Sequence, residues 1–450
     1  MKSQKNIMKR KILILFSLFS AGFSFAQNSN SFTLQQAIDY AMQNQISVQN
    51  AVLDEQIAQN KVKEVLGIGL PQISGSFDVK DFLEIPTSLI PAEFFGGPVG
   101  TYMGVKFGTQ YNASAGITAS QLVFSSDYFL GLQAIKTFME LSQKATMRTK
   151  IETAAAVSKA YYMVLVNDER IKLVDANVTR LKKLMDDTKV LNTTGFVEKI
   201  DLDRITVAYN NLIVEKEKIS KLFELAKILL KYQMGMDQTI EIILADKLDA
   251  INFQATITME KFDYTKRIEY SLFQTQLGLS QLQLKSDKLG YLPTLVLYGS
   301  ASANAYRNKF NFFDTQLGWY PTILIGGTLS VPIFSGGQKH YKIQQSKLSL
   351  IKAQNNLKFI QQTIDLDLSS SRIALQNASS SLETQKKNIE LAEEIYKVSK
   401  LKYDQGVGSN LEVMTSETAL KESQTNYYNA LYEALIAKID YDKATGTLIK

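Results

Sequence analysis

Side chains able to do covalent or metal chemistry are scarce in this 450-residue chain, which has no cysteine and a single histidine, His340. Without thiols there is no disulfide framework, no iron–sulfur or zinc-thiolate site, no cysteine nucleophile and no residue for a Cys-linked lipid anchor. One imidazole cannot build a multi-histidine metal centre. No phosphate-cradling G-x-x-x-x-G-K-[ST] segment is present; Gly326-Gly327 and Gly336-Gly337 fit strand and strand-to-helix bends better than a nucleotide loop. His340 follows the second pair near an expected helix start and reads as structural, or as a mild pH-sensitive contact at most. No catalytic constellation remains, so the chain reads as a non-enzyme with no cofactor and no metal site.

The net charge of +6 is misleading. Residues 1–26 have the form of a secretory signal. Lys2, Lys5, Lys9, Arg10 and Lys11 make a basic start, ILILFSLF (12–19) an apolar core, and Ser24-Phe25-Ala26 a small-x-small cleavage site before Gln27. The apolar run is too short for an ordinary spanning helix. Removing the five basic residues leaves about +1, which gives no reason to invoke nucleic acid. Export points instead to an envelope or extracellular protein.

What positions the remaining residues is announced by proline. All seven lie in two windows: Pro71, Pro86, Pro91 and Pro98, then Pro293, Pro321 and Pro332. Elsewhere nothing prevents long helices. From Leu132 to Thr194 there are 63 residues without Gly or Pro, and from Gln338 to Gln405 there are 68. As helices these would run about 95–100 Å. Their apolar residues form interrupted stripes, as at Leu391, Ile395 and Val398, with Lys and Glu interleaved in KKNIELAEEIYK (386–397). That is coiled-coil-like packing in water, not lipid-embedded helix.

The chain is also duplicated. LGIGLPQISGSF (66–77) resembles KLGYLPTLVLYGS (288–300), QLVFSS (121–126) answers VPIFSG (331–336), and TGFVEKIDLD (194–203) answers QGVGSNLEVM (405–414). The offset of 211 between Gly195 and Gly406 recurs between Gly235 and Gly446. Each copy reads helix, strand, loop, strand, very long helix, glycine break, helix, the first opening on a candidate capping box at Thr33 and Gln36.

The proline windows alternate with period two. Ile73, Gly75, Phe77 and Val79 oppose Gln72, Ser74, Ser76, Asp78 and Lys80, and Ala113, Ala115, Ile117 and Ala119 alternate with small polar residues. Leu295, Leu297, Gly299, Ala301 and Ala303, then Ile323, Ile325, Gly327, Leu329 and Val331, repeat the pattern. A water-facing antiparallel sheet shows the same alternation. The aromatics Phe310, Phe312, Phe313, Trp319 and Tyr320 in one loop, and Phe94, Phe95 and Tyr102 in the other, favour strands that cross a membrane. Four such strands cannot close a barrel, since about eight is the minimum, and open edges are untenable in lipid. Two copies would supply eight strands and three copies twelve. The loop of about 81–110 is the longer one and is expected to face outside.

These features together resemble the TolC-like outer-membrane efflux protein family over essentially the whole mature chain. The matching motifs are TLQQAIDYAMQNQ (33–45), the LP that opens the first strand of each copy, and YDQGVGSNLEVMTSETAL (403–420). The resemblance implies a mainly helical fold with a small β part: long antiparallel helical hairpins forming an α-barrel tunnel, plus four transmembrane strands per chain in a shared 12-stranded barrel of a homotrimer. It divides the chain into a signal peptide (1–26), a first repeat (27–236), a connecting equatorial segment (237–261) and a second repeat (262–450). Strands are expected at about 71–80, 111–124, 293–304 and 321–334, and hairpin tips at about 194–201 and 405–412. The implied location is the outer membrane, with a tunnel into the periplasm.

The resemblance also assigns roles. Gly195, Phe196, Gly406, Val407, Gly408 and Ser409 fall at the tips, where the family docks a periplasmic membrane-fusion adaptor. Glu412 falls where the family places an acidic ring at the narrowest point of the entrance. Asp201 and Tyr403 fall where contacts hold that entrance closed. Gly408 stands where some members have a basic latch residue, and Thr415 where a second constriction acid occurs. Three symmetry-related Glu412 carboxylates would repel one another, favour cations and offer a place for a blocking metal ion; alone, Glu412 is a solvated first-turn acid near a helix N-terminus. The implied activity is that of a passive exit duct in tripartite efflux or type I secretion, working with the adaptor and an inner-membrane pump of RND or ABC type, in contact with outer-membrane lipid and not with nucleic acid. The rival reading is a non-conducting coiled-coil periplasmic scaffold or adaptor.

Overall fold

The structure is a computed structural model that describes residues 31–248 and 262–449. The expected signal and part of the connecting segment lie outside the described residues. Among these, no helix is long and apolar enough to cross a membrane.

Two compact units emerge, and each draws on both repeats. Unit 1 takes residues up to Asn50 with Arg148–Arg267 and Ile364–Lys450; unit 2 takes Ala51–Met147 and Ile268–Thr363. The duplication therefore does not fold as two independent halves.

Unit 2 contains the sheet. Its strands are β2 (Gln72–Asp81), β5 (Tyr111–Phe124), β7 (Thr294–Arg307) and β8 (Tyr320–Ser330), antiparallel in the order β2-β5-β7-β8. β2 and β8 each keep one edge unpaired among the described residues. Register settles the question of faces. Phe77 pairs with Ala115, Ala115 with Ala303, and Ala301 with Ile323, so the four apolar sets share one face. Asp78, Ser114, Asn304 and Tyr320 line up on the other.

β8 stops at Ser330, short of the expected 334, because Pro332 has no N–H for a ladder. Phe334, the counterpart of Phe124 in the repeat, consequently lies beyond the strand. The long loop between β2 and β5 also departs from expectation. It holds a hairpin of its own, β3 (Thr87–Pro91) with β4 (Tyr102–Lys106), bridged by a 3₁₀ turn at Ala92–Phe95.

In unit 1 the capping box forms as read: Gln36 N–H donates to Thr33 Oγ1, and Thr33 N–H to Gln36 Oε1 at 2.9 Å. The expected first helix is two, α1 (Leu34–Asn44) and α2 (Ile46–Ile68), separated at Gln45, whose backbone is extended. The bulk of the unit comes from the C-terminal part of α3 (Ser126–Thr193), all of α4 (Lys199–Met234), the C-terminal part of α6 (Gln338–Asp404) and α7 (Asn410–Thr445). The remaining helix, α5 (Ile268–Leu289), belongs to unit 2.

The connecting segment is more than a link. Its β6 (Ile243–Leu244) pairs in parallel with β1 (Ser31–Phe32). Asp246 there accepts from Leu34 N–H and from the Tyr161 hydroxyl, both at 2.8 Å. Burial and the Asp246 carboxylate push the Tyr161 hydroxyl well above its ordinary range, so it serves as a fixed donor. Around this anchor Ala37, Ala41, Val157, Tyr161, Leu230 and Met234 are fully buried.

Candidate functional site: the helical tips and the polar seam beneath them

Both tips are built by the same local rule. In the first, Gly195 takes φ 83°, its N–H bonds Asn192 O, and Phe196 N–H bonds Leu191 O at 2.9 Å. In the second, Gly406 takes φ 73°, its N–H bonds Tyr403 O, and Val407 N–H bonds Lys402 O at 3.0 Å. This is the Schellman ending, which needs a left-handed residue. Gly235 and Gly446 end α4 and α7 in the same way.

The tips present apolar side chains to the outside. Phe196 is 82% exposed and Val407 79% exposed, with Ile200 and Leu411 also open. Gly408 is a tight position: a Cβ there would lie 2.9 Å from both Lys402 Cβ and Tyr403 N. A basic side chain could not stand at Gly408 without moving the turn. Ser409 caps α7, its Oγ accepting from Glu412 N–H at 3.2 Å. Glu412 is an exposed acid in the first turn, and it makes no ion pair among the described residues.

Asp201 opens α4 and Tyr403 lies in the last turn of α6, and no hydrogen bond joins their side chains among the described residues. The Asp201 carboxylate is 3.4 Å from Arg204 on its own helix. Its carbonyl accepts from the buried Asn410 side chain at 3.4 Å, which joins the two tips. Tyr403 packs on the apolar cluster of Leu181, Leu184, Ile205 and Val413, with Lys400 Nζ 5.3 Å from its ring centre. Its hydroxyl is buried without a hydrogen-bond partner.

Behind the tips runs a feature that motif reading missed. Asn410, Glu417 and Gln424 are all buried on α7 at seven-residue spacing, alternating with buried Val413 and Leu420. This is a heptad seam whose a positions are polar. Arg180 on α3 lies 3.3 Å from Glu417, stacks on Tyr396 of α6 at 5.1 Å and hydrogen-bonds Asn177. Asn177 in turn donates to Gln424 at 2.9 Å, and Lys421 pairs with Glu215 on α4. Burial pushes the Glu417 carboxyl above the ordinary glutamate range, against the pull of Arg180 and Lys421. Glu417 Oε2 is buried without a hydrogen-bond partner. The seven-residue recurrence of Asn, Glu and Gln was visible in the sequence and was the signal to follow.

Among the described residues no group of His, Asp and Glu could hold a metal ion. His340 is exposed and packs edge-on against Tyr341, with ring centres 5.4 Å apart.

Residues 273–447 match the family model described as outer membrane efflux protein. The outer membrane protein TolC of Salmonella enteritidis is 22% identical over 456 residues, covering 98% of this chain and 87% of that protein. Among solved structures, the Campylobacter jejuni CmeC outer membrane channel superposes with a TM-score of 0.72 at 15% identity, covering 94% of this chain and 86% of that one. The transmembrane channel CusC gives 0.74 at 14% identity, covering 94% and 95%. A four-stranded sheet with two faces combined with long helical hairpins is the fold this chain shares with these outer-membrane channels. Residues 273–447 thus match outer membrane efflux proteins, the chain as a whole is similar to TolC-like outer-membrane factors, and its place is the outer membrane.

Proposed function

We propose that three copies of this chain close one barrel of 12 strands, four from each, and act as the passive exit duct of a tripartite efflux or type I secretion system. The sheet carries this reading. Its register gathers every apolar set on one face, and Ile325 there is 88% exposed in the single chain. Its two end strands leave backbone groups unpaired, which lipid does not tolerate. Other copies supply both the missing pairing and, on the opposite face, a polar lumen.

Opening is assigned to partners. The exposed Phe196 and Val407, held by Gly195, Gly406, Gly408 and Ser409, form the surface that a periplasmic adaptor grips, while an inner-membrane transporter supplies the energy. Glu412 lines the entrance, and three copies make an acidic ring that favours cations. Asp201 and Tyr403 are assigned to the contacts that hold the entrance shut. A soluble scaffold would not leave the apolar sheet face bare.

The test is outer-membrane fractionation, mass measurement in detergent and planar-bilayer recording. A conducting trimer is expected, and Glu412→Ala is expected to lower its cation preference. A water-soluble, non-conducting monomer would overturn the proposal in favour of the scaffold. Co-purification of an adaptor and a pump from cross-linked cells tests the partners separately.

A further inference from the structure

We infer that the hairpin β3–β4 is a clasp that seats on the 308–319 loop of the neighbouring copy; the inference rests on the shared-barrel reading above. The two outer loops of the chain differ in how they treat their apolar residues. In loop 308–319, Phe312 is buried against Ala113 and Ala305 of its own sheet, and Arg307 donates to Gly318 O at 2.9 Å to hold the loop down. Phe310 and Phe313 nevertheless stay open, the latter 88% exposed.

The hairpin has no such cover. It is a built element, with five paired positions from Thr87↔Lys106 to Pro91↔Tyr102, and Leu89 lying over Gly104. Ala92 N–H bonds Thr101 O and Gly97 N–H bonds Ala92 O, both at 2.9 Å. It is also apolar on both faces, Leu89 and Tyr102 on one, Ile90, Met103 and Val105 on the other. Phe94 is 80% exposed and Val99 88% exposed at its end. A two-stranded hairpin alone in water is marginal, and an exposed apolar surface of this kind marks a contact.

Charge argues against a lipid headgroup or a charged partner. The segment 82–110 has three charged residues, and each is engaged within it: Lys106 pairs with Glu84 at 3.6 Å, and Glu93 accepts from Gly100 N–H at 2.9 Å. No cation is left to meet phosphate.

Sheet topology puts two 308–319 loops beside the hairpin, and the chain's own, across β5–β7, leaves Leu89, Phe94 and Val99 exposed, so the cover is left to the loop of the next copy. Asp81 pairs with Tyr111 and Tyr111 with Arg307, so both loops leave the same end of the sheet. The strands alternate in direction, and the free edges belong to β2 and β8. Closing the barrel sets β8 of one copy beside β2 of the next, antiparallel. The β7–β8 loop of the first copy therefore meets the β2–β5 insertion of the second. An apolar hairpin lacking cover and an aromatic loop with Phe310 and Phe313 open are brought together at every joint. The contact is heterologous, and it closes because the ring closes.

The chain's lack of cysteine makes the test clean. The double variants Val99→Cys with Phe313→Cys, and Leu89→Cys with Phe313→Cys, are treated with a short bis-maleimide in intact outer membranes. Covalent dimers and trimers on denaturing gels are expected for at least one pair, with each single variant remaining monomeric. As a second measure, Leu89→Ser with Phe94→Ser keeps the hairpin backbone and is expected to lower the trimer-dissociation temperature by about 5 °C or more. If the wild type is a trimer but neither double-cysteine variant cross-links, and the serine variant leaves the dissociation temperature unmoved, the clasp alone is overturned. A wild type that is not an oligomer overturns the shared barrel beneath it.

Discussion

The helices α4 and α7 are the same length, 36 residues, follow the same kind of glycine tip and end on the same kind of glycine cap. What they bury is different. α4 buries Ile205, Leu212, Ile219 and Ala226, one apolar residue every seven, then Leu230 and Met234. α7 buries Asn410, Glu417 and Gln424 at the same spacing, with apolar residues between. Duplication has preserved backbone architecture while the chemistry of the seam diverged. An aliphatic seam is stable in one packing and insensitive to its surroundings. A polar seam gives up stability, fixes register through directional bonds, and responds to charge.

Truncating the aliphatic seam should give the largest effect. Leu230 is fully buried, and Leu230→Ala is expected to cost about 2–5 kcal/mol in unfolding of the detergent-solubilised protein, with little dependence on pH. Arg180→Ala comes next. It strips the buried Glu417 of its closest cation, and because Arg180 is itself partly exposed the loss should be about 2–3 kcal/mol at neutral pH. Unlike the leucine variant, it should be partly relieved by acid. Equal losses at all pH values in both variants would erase the proposed difference between the seams.

Glu417→Gln sharpens the point with a smaller effect. The native carboxyl holds its proton more tightly than an unfolded one, chiefly through burial, so the native state binds more protons in the window just above the ordinary glutamate range. Stability from this group therefore rises as pH falls through that window and is lost as pH rises through it. The amide variant should match the wild type within about 1 kcal/mol at the acidic end and flatten the dependence across the window. Thermal unfolding scans over the window read both quantities. Tyr396 and Arg180 also face Glu417, with Lys421 one turn away, and burial pushes the Tyr396 hydroxyl above its ordinary range, so it does not titrate in this window.

Much of this was legible in the sequence because it depends on residues that act locally. Proline forbids helix, so the proline windows outlined the sheet. Glycine permits positive φ, so Gly195, Gly235, Gly406 and Gly446 marked four helix ends. Period-two alternation revealed each strand's faces, although only register could show that the apolar sets coincide. The hairpin β3–β4 was lost among Pro and Gly because its pairing spans a tight 3₁₀ turn. The end of β8 was read too far by trusting Phe334 over Pro332. Arg180, Tyr396 and Glu417 were not legible as a group, since they come from three helices far apart in sequence. At the tips, the roles of Glu412, Asp201 and Tyr403 rest on the resemblance, and spacing alone could not show Asp201 turned toward Arg204.

The smallest effect separates the two helix starts. Ser409 accepts from Glu412 N–H and so satisfies one of the orphan donors of α7, whereas Glu198 at the start of α4 makes no such bond. Ser409→Ala should cost about 0.5–1 kcal/mol, and Glu198→Ala less than half of that. The difference has a place in function. Glu412 is fixed in direction by the turn that Ser409 closes, so loosening the cap should blur the proposed acidic ring as well as fray the helix. Single-channel recordings of Ser409→Ala should then show a reduced cation preference with unchanged unitary size, and Glu198→Ala should show neither change. If both variants alter selectivity alike, the two tips act as one entrance surface and the asymmetry between α4 and α7 stops at their buried seams.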